Sequence, residues 1–106
     1  LLIATILSAQ CTDKKVNQVT EKLFKKYKKI SDYANADLQT LQEEIKPAGF
    51  YKNKAKQIIN CCKEIIKRFN GKVPNSLEDL ISLPGIGRKT ANVILSAGFR
   101  KQAIPV

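Results

Sequence analysis

The sequence has no histidine and only three cysteines, Cys11, Cys61 and Cys62. Zinc sites and disulfide frameworks in small proteins need such residues in pairs at set spacings, and this chain has no such pairs. Cys61 and Cys62 are neighbours, so on a helix their side chains point to different sides. We therefore expect no metal in this segment, ordinary core or boundary thiols, and a reducing, intracellular compartment.

Long hydrophobic runs are also scarce. The most continuous run, Leu1 to Ala9, is too short to span a bilayer, which needs roughly 20 residues. It also lacks the basic start of a signal peptide, so the run predicts neither a membrane span nor a signal peptide. The segment from Leu1 to about Gln10 is apolar on all sides, which predicts a central, buried helix. The chain starts without Met and stops at an apolar Ile104-Pro105-Val106, which is typical of a piece cut from a longer protein.

Acidic residues are few. Nine Asp and Glu stand against nineteen Lys and Arg, which gives a net charge of +10. Such an excess favours a polyanionic partner, nucleic acid first and an anionic membrane surface second. A lysine-rich solvated surface would show the same excess without any partner. Because lysines greatly outnumber arginines, the charge does not mainly indicate bidentate recognition of bases.

Helical spacing of apolar residues dominates the chain, and no segment alternates for long as a strand would. The length of 106 residues suits one domain. We therefore predict an all-α fold, a compact bundle or barrel of about six helices within residues 1–106. Predicted caps are Thr12 or Asp13, Asn35 or Asp37, Asn53 and Ser76. The apolar positions of the inner helices are Val16, Val19, Leu23, Phe24 and Tyr27; Leu38, Leu41 and Ile45; Ala55, Ile58, Ile59, Cys62, Ile65, Ile66 and Phe69; and Leu77, Leu80, Ile81 and Leu83.

The most informative stretch is Leu83-Pro84-Gly85-Ile86-Gly87-Arg88-Lys89-Thr90-Ala91. Pro84 is predicted to stop one helix, and Gly85 and Gly87 permit a tight reversal with close approach of the backbone to a ligand. The next helix then starts with unpaired N–H groups and a positive dipole end, which suit a phosphate. This is the pattern of a helix-hairpin-helix motif, spanning residues 76–98. A structural corner without any ligand would use the same turn.

Lys89 lies in the first turn of the second helix of this motif. A lysine there is either a phosphate contact or a reactive amine. The positive end of the helix and the neighbouring Arg88 both favour the neutral, nucleophilic amine. A bound phosphodiester would favour the ammonium, so the direction stays open.

Four blocks, in order along the chain, resemble the endonuclease III family of DNA glycosylases and AP lyases. They are the turn with its continuation to Val93, Leu7-Ser8-Ala9-Gln10-Cys11-Thr12-Asp13, Gly49-Phe50-Tyr51 with Lys54-Ala55, and Gly71-Lys72-Val73-Pro74. The resemblance implies a base excision repair enzyme that flips a damaged base, usually an oxidised pyrimidine, out of the duplex. It also implies that Lys89 attacks the sugar C1′, forms a Schiff base and nicks the strand by β-elimination.

The resemblance further implies double-stranded DNA with a damaged base or abasic site as the partner. We expect a monomer in the cytoplasm or nucleoid, and no membrane among its partners. It places Gln10 as a wedge that fills the gap left by the flipped nucleotide, although a helix-end role fits equally. Asp13 fits a helix cap or a hydrogen bond near the active site. The remaining DNA contacts expected are Gly85, Ile86, Gly87, Arg88, Thr90, Lys52 and Lys54, of which Lys52 and Lys54 also fit a merely solvated face.

The chain departs from the family pattern at its C-terminal end. The family's catalytic aspartate comes just past a valine like Val106, and its four-cysteine [4Fe-4S] segment lies further on. We therefore expect this segment to fold and bind DNA weakly, with little glycosylase activity and no cofactor. Two alternatives remain: a non-catalytic helix-hairpin-helix DNA-binding module, and a monofunctional adenine or mismatch-thymine glycosylase. Lys89 argues against the second, because those relatives usually lack a lysine there.

Overall fold

A computed structural model describes residues 2–8 and 13–98. Within these ranges the chain is helical and has no β-strand, which confirms the all-α fold. No helix in the described part is long and apolar enough to cross a membrane. The elements are α1 Leu2–Leu7, α2 Asp13–Lys26, α3 Ile30–Ala34, α4 Leu38–Ile45, a 3-10 helix Lys46–Ala48, α5 Tyr51–Phe69, α6 Leu77–Ile81 and α7 Arg88–Gly98.

Helix α5 is the longest element and forms the centre of the fold, where it packs against α1, α3 and α4. Its predicted apolar stripe is buried from Ala55 to Ile65, and Cys61 is buried beside it. Ile66 was expected in the same stripe but is 41% exposed. The reason is the helical period: Ile66 lies one residue past Ile65, about 100° further around the axis, at the rim of the core.

Helix α1 is buried as the sequence predicted. Its apolar side chains lie in the core, and it contacts α2, α5 and α7. Phe24 and Leu38, however, are 39% exposed, although both were expected to face inward. Each lies at the edge of its helix's apolar stripe, so only part of the side chain contacts the core.

The short helix α3 was not predicted, because five residues are too few to show a helical period. Its start is fixed locally: the Asp32 carboxylate accepts hydrogen bonds from the backbone N–H groups of Lys28 and Lys29, both at 3.0 Å. These bonds hold the pKa of Asp32 below its usual value. The buried Tyr33 then donates its hydroxyl to the carbonyl of Tyr27 at 3.1 Å, which joins α3 to the end of α2.

The two ends of α5 differ in how well the sequence predicted them. Asn53 was expected to cap the helix, but α5 begins at Tyr51, after Phe50 in the left-handed region with φ +47°. The other end lies where Gly71 was expected to stop it. Asn70 there has φ +55°, and the Gly71 N–H donates to the Ile65 carbonyl at 3.1 Å.

Candidate functional site

The turn between α6 and α7 is built from Leu83 to Ile86. The Ile86 N–H donates to the Leu83 carbonyl at 3.3 Å, Pro84 is the second residue, and Gly85 is the third with φ +79°. Proline followed by a residue with positive φ is the signature of a type II turn. Helix α6 has already ended at Ile81, so Pro84 shapes the turn rather than stopping the helix.

The two glycines of the segment that joins α6 to α7 meet different constraints. A Cβ added to Gly85 would lie 2.8 Å from the Cβ of Gln57 on α5, in addition to the strain of its positive φ. A Cβ added to Gly87 would meet nothing within 4 Å, and the φ of Gly87 lies outside the left-handed region. Gly87 also precedes α7 and accepts the Ala91 N–H at 2.9 Å. The open space around Gly87 leaves its backbone accessible to a ligand.

Lys89 is exposed in the first turn of α7, as is its neighbour Arg88. Both line an open cavity of about 750 Å³ along the outer face of α7, together with Asn92, Val93, Ser96 and Ala97. The half-buried Thr90 follows in the same helical turn. The cavity is large enough for a nucleoside-sized group beside the amine.

Ile86 differs from the other residues expected to contact DNA. Its side chain is buried at 4% exposure, and its N–H is used inside the turn. Ile86 therefore anchors the turn in the core, and the DNA contact expected of it is wrong, because neither its side chain nor its N–H is open to a ligand.

Lys54 requires a larger correction. It is only 5% exposed, and its Nζ donates to the carbonyls of Leu7 at 3.1 Å and Ala48 at 3.2 Å. The solvated position predicted for Lys54 is wrong, because the helical period turns it toward the core beside Ala55. Lys52, two residues earlier, is exposed and remains available to a ligand.

The predicted caps and the wedge have separate outcomes. The Ser76 hydroxyl accepts the Asp79 N–H at 3.3 Å and caps α6. Asp13 is the first residue of α2, and its side chain lies outside the described residues. Gln10 lies outside them as well.

Sequence reasoning did not single out Phe50, which the structure makes prominent. Phe50 is 62% exposed, the most exposed of the large apolar side chains described, and its φ of +47° is unusual for an aromatic residue. It adjoins a cavity of about 270 Å³ lined also by Tyr51, Lys52 and Asn53. The sequence held one signal of this exposure. Phe50 lies between Gly49 and the start of a helix, a position where the helix does not bury an apolar side chain.

Helix α5 brings these segments together. Phe50 precedes its first residue, Lys54 in its first turns contacts the end of α1, and Gln57 lies against Gly85. From Phe50 to Gln57 the helix rises only about 10 Å. The Phe50 loop, the end of α1 and the hairpin turn therefore share the N-terminal half of one helix.

The described residues offer no metal centre. They contain no group of three or more His, Cys, Asp or Glu that could hold an ion. Cys61 and Cys62 are buried on α5, and burial raises the pKa of each thiol to about 12. These thiols do not fit the ligand set of an iron–sulfur cluster, which needs several thiolates around one site.

Comparison with known proteins agrees with the hairpin geometry. A family model, the HhH-GPD superfamily of base excision DNA repair proteins, matches residues 3–106. Endonuclease III of Bacillus subtilis (strain 168) is 51% identical over all 106 residues, which correspond to 48% of that protein. The chain thus spans about half the length of the curated relatives it matches.

Solved structures give the same result. A non-covalent endonuclease III–DNA complex superposes with a TM-score of 0.90 and 49% identity, over 92% of this chain and 46% of that one. A trapped endonuclease III–DNA covalent intermediate, an estranged-adenine complex, matches with the same score, identity and coverage. Since the family model covers nearly the whole chain, the chain belongs to the HhH-GPD superfamily of base excision DNA repair proteins.

Proposed function

We propose that residues 1–106 form the six-helix barrel domain of a base excision DNA glycosylase with AP lyase activity toward oxidised pyrimidines. One observation carries this proposal: Lys89 is exposed beside the hairpin turn and lines the cavity along α7. An amine so placed can reach a sugar that is held by backbone contacts at the same turn. The family membership and the endonuclease III relatives support the same activity.

The hairpin supplies the grip on the DNA backbone. The first N–H groups of α7 have no partner within the helix, and the helix dipole adds a positive potential there. The open space at Gly87 lets a phosphate approach these groups, and Arg88 adds a charge-assisted contact. Gly85 shapes the turn between α6 and α7, and Thr90 lies beside Arg88 in the first turn of helix α7. Such contacts position DNA without reading its sequence.

Lys89 acts as the nucleophile in this proposal. Its neutral amine attacks C1′ of the flipped nucleotide, and the base leaves with the electron pair of the glycosidic bond and takes up a proton. The attached nitrogen then gives up a proton, the C1′–O4′ bond breaks, O4′ takes up a proton, and a protonated Schiff base remains. Removal of a C2′ proton then breaks the C3′–O bond, and the phosphate of that bond leaves as the 5′ end of the downstream strand. A trapped covalent intermediate exists for a 49%-identical endonuclease III chain, which supports covalent chemistry here.

Phe50 is proposed as a wedge that fills the gap in the base stack. Exposed aromatic side chains held on a strained loop cost free energy in the isolated protein, and insertion between bases recovers it by stacking. Lys52 beside it is proposed to contact the backbone. Gln10 stays the second proposed wedge.

The proposed partner is double-stranded DNA with a damaged base or an abasic site, bound by a monomer in the compartment that holds the chromosome. The catalytic aspartate and the [4Fe-4S] ligands that the resemblance implies are proposed to follow residue 106. The proposed chemistry of Lys89 does not depend on the cluster, and none of the residues that the structure describes is proposed as its ligand.

Borohydride trapping tests the assignment of Lys89. The polypeptide, extended to the full length of its reading frame, is incubated with duplex DNA carrying an abasic site and reduced with sodium borohydride. We expect a stable crosslink with the wild type, background levels with Lys89→Ala, and full trapping with Lys67→Ala, an exposed lysine near the C-terminal end of α5. Undiminished trapping by Lys89→Ala would refute the nucleophile. DNA binding without any wild-type trapping would favour the non-catalytic module.

A further inference from the structure

Lys54 is the one lysine of the described residues whose side chain is buried in the core. A buried ammonium is costly unless its donors are satisfied. Here Nζ donates to the Leu7 carbonyl at 3.1 Å and to the Ala48 carbonyl at 3.2 Å. It also lies 6.0 Å from the centre of the Phe50 ring.

Both acceptors are the last residues of helices. Leu7 ends α1, and Ala48 ends the 3-10 helix before α5. The final carbonyls of a helix lack partners within it, and a cation is favoured at the negative end of its dipole. One ammonium therefore neutralises two helix ends that approach each other from distant parts of the chain.

The second of these ends leads directly to the candidate wedge. Only Gly49 separates Ala48 from Phe50, whose φ of +47° is otherwise disfavoured. The Lys54 N–H donates to the Phe50 carbonyl at 3.0 Å. Lys54 thus contacts the Phe50 loop on either side of Gly49. Its backbone N–H bonds to Phe50, and its side chain bonds to Ala48.

We infer that Lys54 is a positioning residue that holds Phe50 outward, ready to enter the base stack. This inference rests on the proposed function, because it assigns a partner to the wedge of that function. The ammonium fixes the loop to the end of α1 before DNA arrives. The loop therefore loses little conformational freedom on binding, and the free energy of stacking goes to separating the bases.

The test uses a duplex with a tetrahydrofuran abasic analogue opposite 2-aminopurine, whose fluorescence rises when a side chain displaces it from the stack. Lys54→Met keeps the side-chain length but removes the donors. Losing hydrogen bonds from a charged donor should lower the unstacking equilibrium about tenfold. Lys56→Met is the matched control, because Lys56 is an exposed lysine on the same helix and the charge change is identical. We expect it to stay within about twofold of the wild type.

A double-mutant cycle separates positioning from general damage. If Lys54 acts through Phe50, then Lys54→Met should have no further effect on unstacking in a Phe50→Ala background. Lys54→Arg, which retains the charge and the donors, should recover most of the wild-type signal. Affinity for undamaged duplex should be unchanged in Lys54→Met and Lys54→Arg, because the hairpin supplies that grip.

Each other outcome is decisive. A wild-type signal in Lys54→Met, or an equal loss in the Phe50→Ala background, overturns the positioning role and leaves the proposed function intact. A wild type that neither unstacks 2-aminopurine nor traps with borohydride overturns the proposed function itself. Should neither Lys54→Met nor Lys54→Arg reach the native circular dichroism spectrum, Lys54 maintains the fold alone and the inference is wrong.

Discussion

Gly85 and Gly87 stand two residues apart in one turn, yet a side chain at each would have different consequences. Gly85 combines a positive φ with the close approach of Gln57, so both strain and a steric clash oppose any larger residue. Gly87 meets neither constraint within the chain. The sequence alone could not separate the two, because both glycines fit the hairpin pattern equally.

Gly85→Ala should therefore destabilise the protein, by about 1–3 kcal/mol in the free energy of unfolding. Urea unfolding followed by circular dichroism measures this loss. Gly87→Ala serves as the matched substitution: its stability should change by less than about 0.5 kcal/mol. Its affinity for duplex DNA should fall severalfold, because the new methyl group blocks the backbone. Equal destabilisation by both variants would contradict the distinction.

The two cysteines of α5 should be unreactive in the folded state. Burial raises the pKa of Cys61 and Cys62 to about 12, so their thiolate fraction at pH 8 is very small. In a Cys11→Ser background, we expect alkylation by iodoacetamide at pH 8 to be at least about a hundredfold slower than in urea. Labelling at similar rates in both conditions would show that α5 opens readily.

At the scale of elements, α4 carries a cap whose effect should depend on pH. The Asp37 carboxylate accepts from the Thr40 backbone N–H at 3.0 Å and from the Thr40 hydroxyl at 2.9 Å. These bonds hold the pKa of Asp37 below its usual value. A carboxyl whose pKa is lowered by folding stabilises the protein above its unfolded pKa, and this stabilisation is lost as the pH falls through the folded value.

Asp37→Ala should consequently lower Tm by a constant amount between pH 7 and 5, and the difference should shrink below roughly pH 4. Thermal unfolding of both proteins across this range provides the measurement. Asp37→Asn retains an uncharged acceptor, so its Tm should lie closer to that of the wild type at pH 7. A difference that stays constant down to pH 2 would show that the cap does not act through its carboxylate.

Helices were predictable where several turns repeated one apolar spacing. The α5 stripe from Ala55 to Ile65 follows from the sequence because each position adds to the same face. The cap at Phe50 and the burial of Lys54 did not follow. Both depend on contacts with α1 and the 3-10 helix, which lie far from α5 in the chain. Helix propensity and apolar periodicity depend on residues within one helix. They do not predict contacts between one helix and another.

At the scale of the whole molecule, the net charge of +10 predicts strong dependence of DNA binding on salt. The logarithm of the affinity should fall linearly with the logarithm of salt concentration, with a slope of about −0.9 for each phosphate contacted. Arg88→Ala should remove about one phosphate contact and so make this slope shallower by about 0.9. Lys67→Ala should leave the slope unchanged, because Lys67 lies about 15 Å further along α5 than Gln57, the residue against the hairpin. Fluorescence anisotropy between 50 and 300 mM salt measures it, and a flat response would contradict DNA binding.

The candidate site was predictable in its sequence-local part only. The turn, Arg88 and Lys89 are consecutive, so a motif describes them completely. Phe50 and the cavity along α7 emerged from the structure, since exposure is a property of the assembled helices. The site residues that are consecutive in the sequence were therefore predicted. Those that only the packing of helices places at the site were not.

The contact between α1 and α7 has a consequence for synthesis. A ribosome releases the largely apolar α1 long before α7, yet α7 covers part of α1 in the folded protein. During that interval the contacts of α1 with α2 and α5 can form but those with α7 cannot, so the nascent polypeptide exposes part of the apolar surface of α1 until the hairpin emerges. Chaperones that recognise short apolar peptides would bind α1, and release from them would coincide with synthesis of α7, the helix that carries Lys89.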